Sequence, residues 1–432
     1  MYYQNNKNTL KLKKNWKKAF YPVVIGASLI SSFAFADTTI RMLYLEANPK
    51  VFAIWEGVGH EYEKTHPGQY IKWEFLENEA FKQKLPTLLQ SDQRPDIFYS
   101  WGGGNFQTRV DAGLLKDVSK EMEDIQSRFS DGSFNAFNYN GKQYGLPYMV
   151  SQVGFWYNKS LFQKAGVDAD KVITWDDLLD TVKKLKAADI TPMTVGAGDK
   201  WPAHFYWSLL TMRQAGQQGI QDAIDKKGLG FADEDFIKAG DELKRLVDLK
   251  PFQAGSLGAT FGDSSGNFGD GKAAMQLMGD WNYLFQAQQS ISGKGVGDNN
   301  LGWMNFPVLK DGKGKATDTL GGINGWVLTS EASPEAVQWL KYFSNVEMQK
   351  DLAKINMIIP VVKGADKAIE NSFKKRIAQN IANSSWHQVF YDQAFGANVG
   401  NVINDVSVGI ISNSMTSEEA AVQVQEVWEF LN

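Results

Sequence analysis

The chain has 432 residues, of which 43% are hydrophobic and 22% charged, with 40 Gly, 12 Pro, no Cys and a net charge of −4. That length suggests two to four domain-sized units, and the composition excludes a disordered chain and a collagen-like repeat. The absence of cysteine excludes disulfides, thiolate nucleophiles, cysteine-ligated metals and cysteine-linked lipids.

The N-terminal segment has the pattern of a secretory signal peptide. Six lysines in residues 1–18 precede the apolar run AFYPVVIGASLISSFAFA, which ends on Ala34-Phe35-Ala36. A basic start, an apolar middle and small residues at the end predict cleavage after Ala36. A membrane anchor is the alternative, but Pro22 and a run of only about 18 residues disfavour it. We therefore expect residues 1–36 to be removed and the protein to be exported to the periplasm.

Cleavage changes the charge of the protein. Removing six lysines and no acidic residue leaves 39 basic against 49 acidic residues, a net charge of −10. Such a charge argues against partners that are nucleic acids or anionic lipids. The four histidines, at positions 60, 66, 204 and 387, include no pair at the spacing of helical metal ligands. We expect no metal and no other cofactor.

Strands and helices alternate at the start of the exported chain. Residues 38–45, 70–75 and 97–101 predict strands. Apolar residues at helical spacing predict helices through Ile54, Val58 and Tyr62 and across residues 81–89. This β-α-β-α-β order favours an α/β fold with a parallel sheet flanked by helices.

Three later segments carry helix-start signals. Thr174 and Asp177 form a capping box, Ser333-Pro334 is an N-cap followed by proline, and Thr416 to Glu419 precedes the last helix. Residues 254–271, 292–302 and 311–325 are rich in Gly, Asp and Asn and are expected to be loops.

Two segments match catalytic motifs only in part. Gly262 to Gly266 fits the G-x-S-x-G nucleophile pattern. In enzymes with this motif a strand runs directly into the nucleophile turn and a helix follows it, whereas the residues on both sides of this segment are typical of loops. Gly266 to Ala273 is one residue short of a phosphate-binding loop and has alanine where a hydroxyl would hold magnesium. The carboxylates are scattered, so no acid/base pair is selected. We expect no catalytic residue.

The strongest signal is the placement of tryptophan. Trp175, Trp339 and Trp428 lie in apolar helical stripes and are expected in the core. Five others stand beside polar residues or glycine, in WGGGN, GDKWPAH, MGDWN, GGINGW and NSSWHQ, at positions 101, 201, 281, 326 and 386. An indole offers a flat apolar surface to the C–H face of a pyranose ring, and neighbouring polar groups can bond its hydroxyls. Such tryptophans suggest a carbohydrate-binding cleft, although each could also be a surface or loop-packing residue.

Several stretches, in order, resemble one family. These are RPDIFYSWGGGNFQTRVDAGLLKDVS, YGLPYMVSQVGFWYNKSLF with TWDDLL, GDKWPAHFYWSLL, GKAAMQLMGDWN, LGGINGWVLTSEASPEAVQWLKYF and INMIIPVVK. The chain resembles the extracellular solute-binding proteins of sugar-type ABC importers, the maltodextrin-binding group. The resemblance implies a type II periplasmic-binding fold of two lobes, each with a mainly parallel sheet, that close on a ligand.

The resemblance also implies domain limits. Lobe 1 would comprise residues 37–149 and 322–358, and lobe 2 residues 150–321 and 359–432. The chain would cross between the lobes near Pro147–Gln152, Leu320–Asn324 and Ile358–Val362.

The family's ligand-binding positions, carried over to this sequence, fall at the ends of strands, at the crossings and in the tryptophan segments. They are Glu46, Asn48, Trp101, Gly102, Tyr148, Gln152, Trp201, His204, Asp263, Asp280, Trp281, Asn324, Trp326 and Trp386. Trp281 is the best stacking candidate. His204 stands where related proteins more often have an aromatic residue, and Asp263 and Asp280 could instead be loop or cap carboxylates.

The sequence thus predicts a monomeric periplasmic protein that binds an oligosaccharide or sugar derivative, without catalysis, and delivers it to ABC transporter permease subunits in the inner membrane. Two alternatives stay open. One is a secreted carbohydrate hydrolase or lyase, and the other is a binder of the same fold for a polyamine, an anion or iron.

Overall fold

Residues 38–100 form the β-α-β-α-β unit that the sequence predicts. The structure, a computed structural model, describes residues 37–431, and the predicted signal peptide lies outside them. The first elements are β1 (Thr38–Tyr44), α1 (Pro49–Thr65), β2 (Gln69–Phe75), α2 (Asn78–Leu88), β3 (Ile97–Ser100), α3 (Gly103–Asp111), α4 (Ser119–Met122) and α5 (Asp131–Phe134). Helix α1 buries Val51, Trp55 and Tyr62, so its inner face is rotated from the predicted Ile54, Val58 and Tyr62 face because the large Trp55 ring occupies the core.

The middle of the chain contains one long strand and the longest helix. Its elements are β4 (Asn138–Tyr139), β5 (Lys142–Gln143), β6 (Gly145–Asn158), α6 (Lys159–Lys164), α7 (Trp175–Ala187), β7 (Met193–Thr194), α8 (Trp201–Ile224), α9 (Glu234–Asp248), α10 (Phe261–Gly269), β8 (Met275–Gly279), α11 (Asn282–Gln289) and β9 (Leu301–Met304).

The last part returns to the first sheet and ends in helices. Its elements are β10 (Thr319–Leu328), α12 (Pro334–Phe343), α13 (Val346–Lys354), β11 (Ile359–Pro360), α14 (Ser372–Ala382), β12 (His387–Val389), α15 (Tyr391–Ala394), α16 (Ala397–Ile411) and α17 (Ser417–Leu431). Short 3₁₀ helices span Glu123–Arg128, Asn135–Phe137, Ala169–Lys171, Ala197–Asp199, Gly230–Ala232 and Asp366–Ala368.

Local helix-start signals are confirmed. Thr174 and Asp177 form both hydrogen bonds of a capping box at α7. Ser333 caps α12 with Pro334 at its first position. The Thr416 hydroxyl and backbone N–H donate to Glu419 before α17. Each signal involves residues within four positions, so the local sequence alone suffices to define it.

Two expected loops are wrong in part. Within residues 254–271, the segment Phe261–Gly269 is helix α10, because Thr260 and Asp263 form a capping box that the glycine-rich composition obscured. Within residues 311–325, β10 begins at Thr319. Its glycines fit there because Gly321 and Gly325 lie against the backbone of the neighbouring strand, where a β-carbon would clash.

Buried hydrophobic residues form two cores, one in each of two lobes. The first core contains Trp55, Trp326 and Trp339 with the strands β1 and β3. The second contains Trp156, Trp175 and Trp207 with β8, β9 and the C-terminal helices. Trp175, Trp339 and Trp428 are all buried, as their positions in helical stripes predict.

The main sheet is mixed rather than wholly parallel. Its strand order is β2-β1-β3-β10-β6-β8-β7, with β9, β11 and β12 pairing off this path. The ladders β1–β2, β1–β3 and β7–β8 are parallel, as the alternating elements predict. The centre is antiparallel, because β10 runs against β3 and β6, and β6 runs against β8. Residues of β6 and β10 enter both cores, so these two strands run from one lobe to the other.

A fully buried ion pair lies beside this crossing. Lys374 of α14 donates to Asp280, which follows β8, and neither side chain is exposed. Asp280 also accepts from the backbone N–H of Gln152 on β6. Lys374 reaches the carbonyl of Met357, before β11. The pair therefore ties four segments together where the chain passes between the lobes.

Removing the lysine alone should destabilise the protein strongly. Lys374→Met leaves Asp280 buried without a counter-ion, which costs about 3–5 kcal/mol in proteins. The double variant Lys374→Met/Asp280→Asn should recover most of that loss, as measured by urea unfolding. Lys375→Met, at the exposed neighbouring position, is the control and should change little. A double variant as unstable as the single would contradict this account.

Candidate functional site

An aromatic-lined cavity of about 260 Å³ lies between the two lobes. Eight of the residues that the sequence predicts line it: Glu46, Asn48, Trp101, Tyr148, Trp201, His204, Trp281 and Asn324. They come from chain positions nearly 280 residues apart and from both lobes. A molecule that fills this cavity would therefore contact both lobes at once.

Three predicted tryptophans form facing walls of the cavity. Trp101 follows β3 and packs edge-on against Tyr99, with ring centroids 5.5 Å apart. Trp201 begins α8 and Trp281 precedes α11, and their rings lie 6.4 Å apart. Each of the three is only partly buried, so each keeps surface available to a ligand. Phe205 and Phe390 pack against Trp281 and fix its ring.

A lysine lies between the tryptophans of the two lobes. The Lys82 ammonium, on α2, stands 5.8 Å from the ring centroids of both Trp101 and Trp201. It is also 3.9 Å from a carboxylate oxygen of Asp392 on α15. A cation over an indole face is attracted by the ring's negative face, and this attraction is strengthened where water is excluded. Lys82 therefore links the two walls across the mouth of the cavity.

Asp392 is held by donors from two directions. His204 Nε2 lies 3.3 Å from Asp392 Oδ1, and His204 Nδ1 is 2.9 Å from the Ser208 hydroxyl. Burial alone would raise the pKa of Asp392, but the charge and hydrogen bond of His204, with Lys82 and Gln393, lower it to about 2. Asp392 is thus ionised across the physiological range, with the Lys82 ammonium and the Gln393 side-chain amide beside it.

Glu46 is a carboxylate without such neutralisation. It follows β1, and one of its oxygens accepts the backbone N–H of Asn48 at 2.6 Å. Asn48 in turn caps α1 by accepting the N–H of Lys50. Burial raises the pKa of Glu46 to about 7, although the backbone hydrogen bonds of Asn48 and Ala47 lower it. No protein cation offsets the cost of ionising Glu46, so a positively charged ligand group would favour its ionised form.

A β-bulge brings two more polar groups to the cavity. The β6–β10 register shifts at Asn324 and Gly325, which pair with Met149 and Pro147, so Tyr148 has no partner across the ladder. Bulges of this kind re-aim side chains. Tyr148 and Asn324 both line the cavity, and the Tyr148 hydroxyl and Asn324 Oδ1 are buried with no hydrogen-bond partner among residues 37–431. Unsatisfied buried polar atoms that face a cavity indicate places for ligand groups.

Three of the predicted residues are occupied elsewhere by structural roles. Asp280 forms the ion pair with Lys374. Asp263 is exposed and caps α10, and hydrogen bonds from the backbone and side chain of Thr260 lower its pKa. Trp326 is fully buried between Trp55 and Tyr99, with centroids 5.5 and 5.3 Å away. Trp326 lies on the inward side of β10, so its glycine-rich flanks reflect close strand packing rather than a cleft.

Three other predicted residues do not line the cavity. The backbone N–H of Gly102 donates to Ser100. Gln152 donates to Asn305. Trp386 is half-buried, and its carbonyl accepts the N–H of Thr319 on β10. The ligand-binding roles of these six residues stay predictions, and we leave them out of the site proposed below.

Several lining residues were missed by the sequence analysis. Lys82 and Tyr99 line the cavity from the first lobe, and Phe261, Phe390 and Asp392 line it from the second. Lys82 sits among polar residues of α2 like any surface lysine. Asp392 is brought to His204 only by packing of α15 on α8, across nearly 190 positions. Phe390, directly before α15, is the one that a search for aromatics near polar segments could have found.

Helices of the described residues, 37–431, include none long and apolar enough to cross a membrane. In the same range, no group of three or more His, Asp or Glu side chains is arranged to hold a metal ion.

Comparison with known proteins identifies relatives along the chain. A family model described as bacterial extracellular solute-binding protein matches residues 46–350. An uncharacterised ABC transporter extracellular-binding protein of Pyrococcus horikoshii is 25% identical over 84% of this chain and 82% of its own length. A multiple sugar-binding protein of Streptococcus mutans is 22% identical over 76% of each.

A solved structure shows the same fold. It comes from work on xylan utilisation by the thermophilic bacterium Caldanaerobius polysaccharolyticus and superposes with a TM-score of 0.83 at 25% identity. The match covers 91% of this chain and all of the other.

The buried carboxyl of Glu46 should make stability depend on pH. A pKa raised from 4.5 to about 7 means that the folded protein favours protonated Glu46, so this group's contribution to stability is lost as pH rises from about 4.5 to above 7. Glu46→Gln, which resembles the protonated form, should be more stable than the unmodified protein by about 1–3 kcal/mol at pH 8 and nearly equal at pH 4.5. Urea unfolding at both pH values measures the difference. A difference independent of pH would contradict the assignment.

Proposed function

The chain belongs to the bacterial extracellular solute-binding proteins, and from this premise we propose that it binds an oligosaccharide or sugar derivative and delivers it to an ABC importer. The observation that carries the proposal is the cavity between the lobes, with tryptophan walls and unsatisfied polar atoms. Pyranose rings present both an apolar face and hydroxyls, so they match both features. The relative from Streptococcus mutans, named a multiple sugar-binding protein, supports the same ligand class.

The proposed site comprises eight predicted residues and two that the structure adds. Trp101, Trp201 and Trp281 would stack on sugar rings. The remaining groups would bond or orient hydroxyls: Glu46, Asn48, Lys82, Tyr148, His204, Asn324 and Asp392. We propose that the protein binds without breaking a bond in the ligand. The match to a family of solute-binding proteins supports a role in binding rather than catalysis.

The lobe limits are also a proposal. Residues 37–149 and 322–358 would form lobe 1, with crossings on β6 and β10 as the sequence predicts. Ile358, Val361 and Val362 pack in the first core, and Ile359 and Ile369 pack in the second. We therefore keep the third crossing near Ile358–Val362, where residues of the two cores alternate.

Closure of the lobes would couple binding to transport. Only a ligand that contacts both lobes shifts the balance between an open and a closed form. The permease would then bind the surfaces of both lobes at the distance they have in the closed form. In this way it would distinguish the ligand-bound protein from the ligand-free protein. We further propose that the protein works as a monomer in the periplasm after removal of residues 1–36.

Binding can be tested by isothermal titration against di- and trisaccharides. We expect one-to-one binding at micromolar or tighter affinity, with the saccharide recovered unchanged. Trp281→Ala should weaken binding by about 2–4 kcal/mol, the loss typical of a buried aromatic anchor. Trp386→Ala, which removes a tryptophan outside the cavity, is the matched control and should have a small effect. Release of shorter sugars would favour the hydrolase or lyase alternative instead.

A second test concerns closure alone. Gly104, on α3, lies so close to the second lobe that a β-carbon would stand 2.6 Å from the N atom of Gly396 and 2.7 Å from the carbonyl of Ala394. Asn105 beside it donates to the carbonyl of Asp392 and the side chain of Gln393. Gly104→Ala should therefore keep the lobes apart and weaken saccharide binding at least tenfold, or about 1.4 kcal/mol.

The control for closure is Gly57→Ala on α1, where a β-carbon would meet nothing within 4 Å. It should leave affinity unchanged. Small-angle scattering with saturating ligand should show Gly104→Ala more extended than the unmodified protein. Equal affinity and equal dimensions would mean that this contact does not belong to the closed form.

A further inference from the structure

We propose that the saccharide bound by this protein carries a protonated amine, and that Glu46 is the residue that selects it. This inference rests on the proposed function and names the class of sugar for the same cavity. It depends on the balance of charges around the cavity and on which of them already have a partner.

The lining carries more acidic than basic side chains. Four carboxylates contribute to it: Glu46, Glu77, Asp199 and Asp392. Lys82 is the one lysine or arginine of residues 37–431 that lines the cavity, and His204 is the one histidine. An anionic sugar such as a uronate would meet this acidic surplus, whereas a cationic sugar would reduce it.

Three of the four carboxylates are compensated by a cation or by solvent as well as by their donors. Asp392 accepts from the Gln393 side chain and lies 3.9 Å from the Lys82 ammonium. Asp199 accepts the backbone N–H of Phe261, and although burial raises its pKa, the charge of Lys82 opposes that rise. Glu77 is exposed to water and caps α2 by accepting the N–H groups of the first turn.

Glu46 differs because nothing cationic faces it. Its donors are the backbone N–H groups of Asn48 and Ala47, both neutral. The titratable side chains around it are Tyr44, Tyr99 and Tyr148, from β1, β3 and β6. Burial raises the pKa of each, and the charge of Glu46 raises it further. A half-buried carboxylate with only neutral donors gains from an incoming cation.

A neighbouring acceptor suits the same cation. Asn324 Oδ1 is buried and has no partner in residues 37–431. Tyr99 connects the two acceptors, because Asn324 hydrogen-bonds to it and Glu46 lies within electrostatic range of it. An ammonium group has three donors and no acceptor. Glu46 and Asn324 line the same cavity, and an ammonium group has enough donors for both, whereas one hydroxyl has a single donor.

The test compares sugars that differ only in whether C2 of each ring carries a hydroxyl or an amino group. Isothermal titration at pH 7 would use cellobiose and its 2-amino counterpart, the β-1,4-linked glucosamine disaccharide. Glucose, galactose and mannose would be paired with their 2-amino forms, and digalacturonate would serve as the anionic probe. We expect the amine of at least one pair to bind about 10- to 100-fold more tightly than its hydroxyl partner, as for a charge-assisted hydrogen bond. Digalacturonate should bind more weakly than cellobiose.

The variant Glu46→Gln locates the preference. It should bring the amine-to-hydroxyl affinity ratio close to one while changing affinity for the hydroxyl sugar much less. Glu77→Gln removes the same formal charge at the exposed cap and should keep at least half of the preference. Equal loss in both variants would assign the effect to the general charge of the cavity and overturn the role of Glu46.

Failure of the inference is distinguishable from failure of the proposed function. Tight binding of neutral sugars or uronates with no preference for any amine would overturn the inference alone. No binding of any sugar in the panel would overturn both.

Discussion

The antiparallel pairing of β6 with β10 is the constraint on which the rest of the structure depends. Both strands run through the two lobes, and their register joins Gly321 to Gln152 at one end and Val327 to Gly145 at the other. Each lobe has its own core, but neither core could be placed relative to the other without this shared ladder. The buried pair of Lys374 and Asp280 lies beside the ladder and ties α14 and the end of β8 to it.

The same ladder also creates part of the site. Its single register shift leaves Tyr148 unpaired and turns Tyr148 and Asn324 toward the cavity. The carbonyl of Tyr148 is not left unsatisfied, because the Gln349 side chain donates to it. A regular ladder would have used both residues for packing. The bulge thus makes a structural element a source of polar groups for a ligand, in the cavity that tryptophans of both lobes line.

Two carboxylates that line the cavity, Asp392 and Glu46, differ in the groups that surround them. Asp392 is paired with His204 and Lys82, and it connects the wall of one lobe to that of the other. Glu46 depends on backbone donors alone, and burial holds its pKa near 7. One carboxylate is therefore part of the closed framework, and the other is available to a ligand. This contrast explains why two acids in one cavity are assigned different roles.

Much of this molecule could be predicted from short stretches of sequence, and the sequence also resembles one family over most of its length. The alternation of elements in residues 38–100, the caps at Thr174, Ser333 and Thr416, and the tryptophans at positions 101, 201 and 281 all depend on neighbouring residues. The central antiparallel ladder, the bulge at Tyr148 and the approach of Lys82 to Asp392 depend on contacts across up to 310 positions. The burial of Trp326 and the pairing of Asp280 also depend on such distant contacts. For Trp326, the glycine-rich flanks look alike in a cleft and in a tightly packed strand. Local pattern determines which face of an element is apolar, but only the assembled lobes decide which polar group finds a partner and which is left for the ligand.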